Sequence, residues 1–466
     1  MTGDLCFRSL TELSSMLARR ETTSRAIVDA CLARIASLDG KLHAFVDVYA
    51  DDARTLADAA DLSRAAGVVR GPLHGLPVAL KDLLELAGRQ TTAGSKLWLG
   101  RISDHTATCV TRLLDAGMIP LGKTHLVEFA FGGWGRNEAM GAPRNPWDTA
   151  THRVAGGSSS GSGVAVAAGL VPAAIGSDTG GSVRIPAALC GITGLKTTFG
   201  LVSLHGAVPL STLLDTIGPL AHTVEDCALL TAAMAGPDPL DPGTRGAPEA
   251  DLVAAASAPI GVRGMRVACL PREQFPAFID PDVVRARDAA IDVLRGLGAE
   301  AVETRVAIAF EEIATRLGTL LAAEAYALRG EYAENAGAPM DPWVRKRVLG
   351  GKQISASDFI VEVHAMRKTQ AAFATWMRDW DAILTPSLPI AAVPLAEVDE
   401  ATAPLASFTR AVNYVGGCGL SLPAGFTASG LPVGVQLVGA PFAEASLVRL
   451  GRAFQHATQW HRARPG

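Results

Sequence analysis

Cysteine is scarce in this 466-residue chain and badly placed for cross-linking. The seven residues, Cys6, Cys31, Cys109, Cys190, Cys227, Cys269 and Cys418, are odd in number and scattered, and no two form a C-x-x-C pair. A disulfide framework and a structural zinc site are therefore not expected. An excess of charge is also missing. Charged residues make up 19% and the formal net charge is -4, which leaves no basic field for nucleic acid or an anionic membrane. Long apolar runs are absent too. The longest, Val164 to Gly176, is interrupted by Pro172 and is too short to span a bilayer. Asp4, Arg8 and Glu12 stand where a secretory signal needs an apolar stretch. No fixed-period repeat is visible. These absences predict a soluble cytoplasmic protein with no structural zinc, no nucleic-acid partner and no membrane contact.

What is present is apolar material. Hydrophobic residues make up 48% of the chain, ample for a large core. The first 65 residues read as amphipathic helices, such as Leu10 to Ala36, with an apolar break at HAFVDVYA. LPVAL, Leu76 to Leu80, predicts a short buried strand that ends at Lys81 and Asp82. Asp104 to Ala116 predicts a helix and MIPLG a strand after it. Strands alternating with helices favour an α/β sheet covered on both faces. The Pro- and Gly-rich stretch from Gly236 to Gly261 reads as a surface loop rather than a linker, because the same alternation continues beyond it. Helical patterns then run from Phe310 to Met377, broken near Gly337 to Pro342.

Three motifs compete for function. GMIPLGKT, Gly117 to Thr124, fits the phosphate-loop pattern, but Met, Ile, Pro and Leu occupy positions that need a flexible, N–H-rich cradle. A strand ending in a polar turn is the better reading. GSSSG, Gly157 to Gly161, fits a nucleophile elbow centred on Ser159. No strand pattern precedes it, and none of His152, His205, His222, His364, His456 and His461 has the context of a base. The third is a pair of Gly/Ser turns, one starting at Gly156 and the other, GSDTGGSVRIPA, at Gly176. DTGGS sets several backbone N–H groups around Ser182 at a helix start, as an oxyanion hole requires. An ordinary Gly-rich connection explains it equally well. A serine nucleophile also needs a base, and a buried lysine can serve because burial favours its neutral form. Lys81 is one candidate. Its competing reading is a surface lysine paired with Asp82, and spacing alone does not choose it over other lysines.

Taken together, GLPVALKD, GKTHLVEFAFG, NPWD at Asn145 to Asp148, AGGSSSGSG, GSDTGGSVRIPAALCG, GLKTTFGLVS and GLPVGVQLVG resemble the amidase signature family, in order, from about residue 5 to 457. The resemblance implies one α/β/α domain with a mixed sheet flanked by helices on both faces. Residues 1–65 would form an N-terminal helical segment, 66–235 the catalytic core, 236–400 a variable substrate region and 401–466 a return to the sheet. It implies a Ser–cis-Ser–Lys triad: Ser182 as nucleophile, Ser158 as bridging serine and Lys81 as base. The N–H groups of Thr179, Gly180, Gly181 and Ser182 would form the oxyanion hole. Ser159, Asp178 and Arg184 would support it, and Phe129, Phe131 and Trp134 would line the acyl pocket. The chain departs from the family pattern at Ser160, where glycine is usual. The activity implied is a stand-alone serine amidohydrolase acting through an acyl-enzyme, without metal or cofactor, with aryl amides and carbamates open as substrates. Its partner would be a small-molecule amide, with a homodimer left open. The alternative is the glutaminase-type A subunit of a tRNA-dependent amidotransferase.

Overall fold

The described residues run back and forth through a single eleven-stranded sheet. The computed structural model describes residues 5–248, 251–402 and 404–466. The strands are β1 (Phe45–Val48), β2 (Pro77–Lys81), β3 (Ile119–Thr124), β4 (Ala173–Asp178), β5 (Thr193–Lys196), β6 (Thr216–Ala221), β7 (Arg266–Cys269), β8 (Glu300–Glu303), β9 (Ala382–Pro386), β10 (Cys418–Phe426) and β11 (Pro432–Gly439). Their spatial order is β1-β3-β2-β4-β6-β5-β10-β11-β9-β7-β8. β2 pairs in parallel with β3 and β4, and β7 with β8 and β9, while the remaining pairs are antiparallel. This is the expected mixed α/β sheet.

Period-two alternation splits the strands between two cores. Val78 and Leu80 of β2, with Ala173 and Ile175 of β4, enter the larger core. Ala79 and Ala174 enter a second one, formed against the helices Ser24–Leu42 and Ser160–Ala167. Helices thus cover both faces. In β2 to β5 the polar side chains stand only at strand ends, where the chain enters its loops.

The run of small residues between Gly156 and Gly194 exists for close approach. A Cβ on Gly161 would overlap the Ala44 carbonyl, and one on Gly163 would come within 2.9 Å of Pro186. The helices Ser160–Ala167 and Arg184–Cys190 can therefore lie on each other and on β4. Asn145 and Trp147 of NPWD close the end of Arg184–Cys190 by donating to the carbonyls of Leu189 (2.9 Å) and Cys190 (2.8 Å).

Several local expectations shift. The Leu10–Ala36 pattern divides into helices Leu10–Ala18 and Ser24–Leu42, because Arg20 adopts a left-handed φ of 59° and Thr23 caps the second helix through Ala26 N. The break after it, HAFVDVYA, becomes edge strand β1. Residues Ile119–Thr124 of GMIPLGKT are strand β3, fully buried, not a phosphate cradle. The helical run from Phe310 resolves into Phe310–Glu334, Pro342–Leu349 and Ala356–Trp376. Within the 236–261 loop, Leu252–Ser257 forms a short helix, while Glu249 and Ala250 lie outside the described residues. All seven cysteines are buried and unpaired. No helix among the described residues is long and apolar enough to cross a membrane.

Candidate active site

The site forms where β2 and β4 end side by side. Their parallel register, Leu80 opposite Ile175, brings Lys81 next to the loop that leaves β4. Lys81 is fully buried, and its Nζ lies 2.7 Å from Ser158 Oγ and 2.8 Å from Ser177 Oγ. Its contacts are hydroxyls, with no carboxylate of the described residues in hydrogen-bonding reach. Burial pushes the ammonium down to about 7, against the more distant pull of Asp215 and Asp178. The competing reading of Lys81 fails on geometry. Asp82, its neighbour in sequence, faces Lys123 on β3 (3.4 Å) and accepts from Thr92 N and Oγ1.

Ser158 begins the turn before the helix Ser160–Ala167, and the peptide bond Gly157–Ser158 is cis. Ser159 ties this turn to the second one. Its N–H donates to the Ser182 carbonyl (3.2 Å), and its Oγ bonds both the carbonyl (3.2 Å) and the N–H (3.3 Å) of Ser177. These bonds make Ser159 a brace between the loops; no base of the described residues stands beside its hydroxyl, as an elbow nucleophile would need.

The loop Thr179–Ser182 is clamped on several sides. Thr179 Oγ1 donates to Asp215 (2.5 Å), and Thr409 Oγ1 donates to the Gly180 carbonyl (2.8 Å). Gly181 has φ 130°, and any Cβ there would overlap Thr409 Oγ1, so only glycine fits. Beneath the loop Asp178 accepts from Arg184 Nε (3.0 Å) and Nη2 (2.9 Å), and from Asn413 Nδ2 (3.0 Å). Burial alone would raise the Asp178 carboxyl, but the Arg184 charge and its hydrogen bonds hold it well below the ordinary range. The Gly181 N–H also donates to Asp178 Oδ1 (2.8 Å). This narrows the four expected oxyanion donors to three: among the described residues, the N–H groups of Thr179, Gly180 and Ser182 meet no acceptor.

Ser182, Thr179 and Gly180 open onto a cavity of about 460 Å³. Phe131 and Trp134 line it. Phe129 does not. It takes a left-handed φ of 49°, which turns its ring away to pack edge-on against Trp98 (5.2 Å) beneath Arg329 (4.7 Å). Another wall comes from the variable segment and the stretch that follows it, and carries Trp343, Lys346, Arg347, Glu400 and Arg410. Arg347 is ion-paired to Glu400. Among the described residues no group of three or more His, Cys, Asp or Glu is assembled that could hold a metal ion.

Sequence reasoning missed Ser177, Asp215 and this charged wall. Ser177 carried a signal, since it sits inside GSDTGGS on the strand beside Lys81. Asp215 and the wall carried none: they reach the site only through the antiparallel return of β6 and the packing of late helices.

A buried lysine hydrogen-bonded to a serine, beside a Gly/Ser loop with N–H groups that meet no acceptor among the described residues, is an arrangement suited to serine-based acyl transfer. The chain belongs to the amidase family, whose model matches residues 26–448, and so to enzymes acting on C–N bonds. It is 40% identical to the A subunit of the glutamyl-tRNA(Gln) amidotransferase of Roseiflexus sp. (strain RS-1), over 98% of each chain. Among solved structures it resembles a chain of an inhibitor-bound vestigial protein complex described as revealing the evolutionary origins of an s-triazine catabolic enzyme (TM-score 0.89, 34% identity, 96% of this chain and 98% of that one). It also resembles the peptide amidase of Stenotrophomonas maltophilia (TM-score 0.83, 30% identity, 98% of each). These relatives correct two expectations. The stand-alone amidohydrolase gives way to the amidotransferase alternative, because full-length relatives at this identity are named as one component of such an enzyme. A small-molecule amide as the partner, with nucleic acid excluded, gives way for the same reason: a net charge of -4 describes one chain and says nothing of an RNA handled by an assembly.

Proposed function

We propose that this chain is the amide-cleaving subunit of a tRNA-dependent amidotransferase, releasing ammonia from glutamine for use on a tRNA-bound acyl group held with a partner subunit. The observation that carries the reading is the 40% identity, over 98% of both lengths, to the A subunit of a glutamyl-tRNA(Gln) amidotransferase. The site geometry supports the chemistry. Residues 66–235 supply every catalytic group of this reading, and residues 236–400 supply most of the charged wall.

In this reading neutral Lys81 takes the Ser158 proton while Ser158 takes that of Ser182. Ser182 Oγ then bonds the amide carbon, and the N–H groups of Thr179, Gly180 and Ser182 hold the oxyanion, each worth roughly 3–4 kcal/mol of barrier. Collapse breaks the C–N bond. The proton held by Lys81 returns through Ser158 to the leaving nitrogen, which departs as ammonia. Water, deprotonated along the same relay, then cleaves the Ser182 ester, releasing glutamate and restoring the hydroxyl. Ser159, Asp178 and Arg184 keep the two loops in register.

The test is glutamate release from glutamine by the purified chain, with and without glutamyl-tRNA(Gln) and a co-expressed partner protein, beside Ser182→Ala. Glutamine turnover that rises with partner and tRNA, yields amidated tRNA and vanishes in Ser182→Ala is the expected result. Turnover surviving in Ser182→Ala would discard the nucleophile, and no amidated tRNA from the full assembly would discard the amidotransferase role.

A further inference from the structure

Among the described residues, Arg410 has no counter-charge. It opens the short helix Arg410–Tyr414, directly after Thr409, which is bonded to the Gly180 carbonyl. Its aliphatic stem rests on the oxyanion loop, close enough that a Cβ on Gly180 would stand 3.3 Å from Arg410 Cγ. The side chain is half-buried and lines the cavity into which Ser182 opens. Among the described residues its guanidinium has no hydrogen bond, ion pair or ring contact. Its charged neighbours aggravate this. Arg347 is also a cation, and the wall's one carboxylate, Glu400, is committed to Arg347. Lys346, at the exposed mouth, lies over the Trp343 ring (5.2 Å). The wall thus presents three cations against one anion. Burial and the like charge of Arg347 both push the Arg410 guanidinium below its ordinary value. An unpaired cation in such a place is costly, and a bound anion would remove the cost.

We propose that Arg410 is the specificity-determining residue of this site and pairs with a carboxylate on the acyl part of the substrate. The acyl side is required by the leaving group: ammonia has no further atoms, so every recognisable feature of the substrate stays on the carbonyl side of the scissile bond. Because Arg410 is fixed to the loop that holds Ser182, it measures the distance from amide to carboxylate, as an ω-amide of a short dicarboxylic acid demands. A planar guanidinium holds a carboxylate through two parallel N–H bonds, which lysine cannot reproduce. The inference rests on Ser182 as the acylated residue, and its test does not depend on turnover.

The probes are glutaramate, the monoamide of glutaric acid, and pentanamide, its counterpart of equal length without the carboxylate. Binding of both is measured by calorimetry on the Ser182→Ala chain, which holds substrate without consuming it. Glutaramate is expected to bind about 10- to 100-fold more tightly than pentanamide. The gap should close in Ser182→Ala/Arg410→Gln and be recovered only in part in Ser182→Ala/Arg410→Lys. Thermal unfolding of Arg410→Gln should show an unchanged or raised midpoint, since an unpaired charge has been removed. Equal binding of the two amides by Ser182→Ala, or an undiminished preference after Arg410→Gln, overturns the proposal. So does an equal weakening of both ligands, the mark of a structural role. Either result leaves Ser182-dependent glutamine cleavage by the active chain as a separate question with its own answer.

Discussion

Lys81 and Lys123 sit on neighbouring parallel strands, β2 and β3, and both are fully buried. What surrounds them differs in kind. Lys123 Nζ faces the Asp82 carboxylate (3.4 Å), the Leu84 carbonyl (2.7 Å) and Thr91 Oγ1 (2.9 Å), and a second carboxylate, Glu85, lies nearby, bonded to Arg101. Lys81 Nζ has the hydroxyls of Ser158 and Ser177. A carboxylate and a carbonyl favour an ammonium and hold it in place; hydroxyls accept from an ammonium but also donate to a neutral amine. The same residue type, one strand apart, is held against a carboxylate in one setting and offered hydroxyls in the other, as the proposed role of Lys81 as a proton acceptor requires. The aspartate adjacent in sequence serves the lysine that is distant in sequence.

The largest effect expected from this contrast is on catalysis. Lys81→Met should lower kcat/KM for amide cleavage by about 10⁴-fold, with the unfolding midpoint unchanged or slightly raised because a desolvated amine is gone. A Lys123→Met chain that folds normally and loses as much activity would break the comparison. Next comes stability. Lys123→Met strands the buried Asp82 carboxylate and should cost about 3 kcal/mol in urea unfolding, whereas Lys81→Met strands only hydroxyls.

The pH profile sharpens the contrast further. Lys81 works as a base only when neutral, so kcat/KM should rise with pH through an acid limb near 7, where the buried Lys81 titrates. Asp215 favours protonated Lys81, and its own carboxyl, raised by burial to about 6, is ionised across the upper part of that limb. Asp215→Asn should therefore move the limb to lower pH, by less than about one unit. A limb that stays put would mean another group titrates there. The smallest effect belongs to Ser160, whose hydroxyl is buried with no hydrogen-bond partner among the described residues. Ser160→Ala should raise stability by about 1 kcal/mol and leave kcat/KM within about twofold.

The sequence made β2 legible because LPVAL is a short apolar run ending in a charge, and it made the two Gly/Ser turns legible because such runs tolerate only close packing. Ser158 and Ser182 followed from their places in those turns, by resemblance to the family. Phe129 was misplaced since its direction is set by a left-handed backbone that no local pattern announces. The Lys123–Asp82 contact comes from a parallel pairing of strands some forty residues apart. The charged wall comes from helices packed late in the chain, and its pairing depends on which carboxylate reaches which guanidinium. The proposed assembly was invisible in the composition, because net charge reports one surface and says nothing of a partner outside the chain.

The seven buried, unpaired thiols lend themselves to a separate use. They are spread from residue 6 to residue 418, across both cores and both ends of the sheet, and the folded surface offers none of them to an alkylating reagent. Each is a silent reporter that becomes reactive only when its own neighbourhood opens. The order in which they are modified under mild denaturant would rank the parts of the sheet by how readily they come apart, with no label introduced and no residue changed.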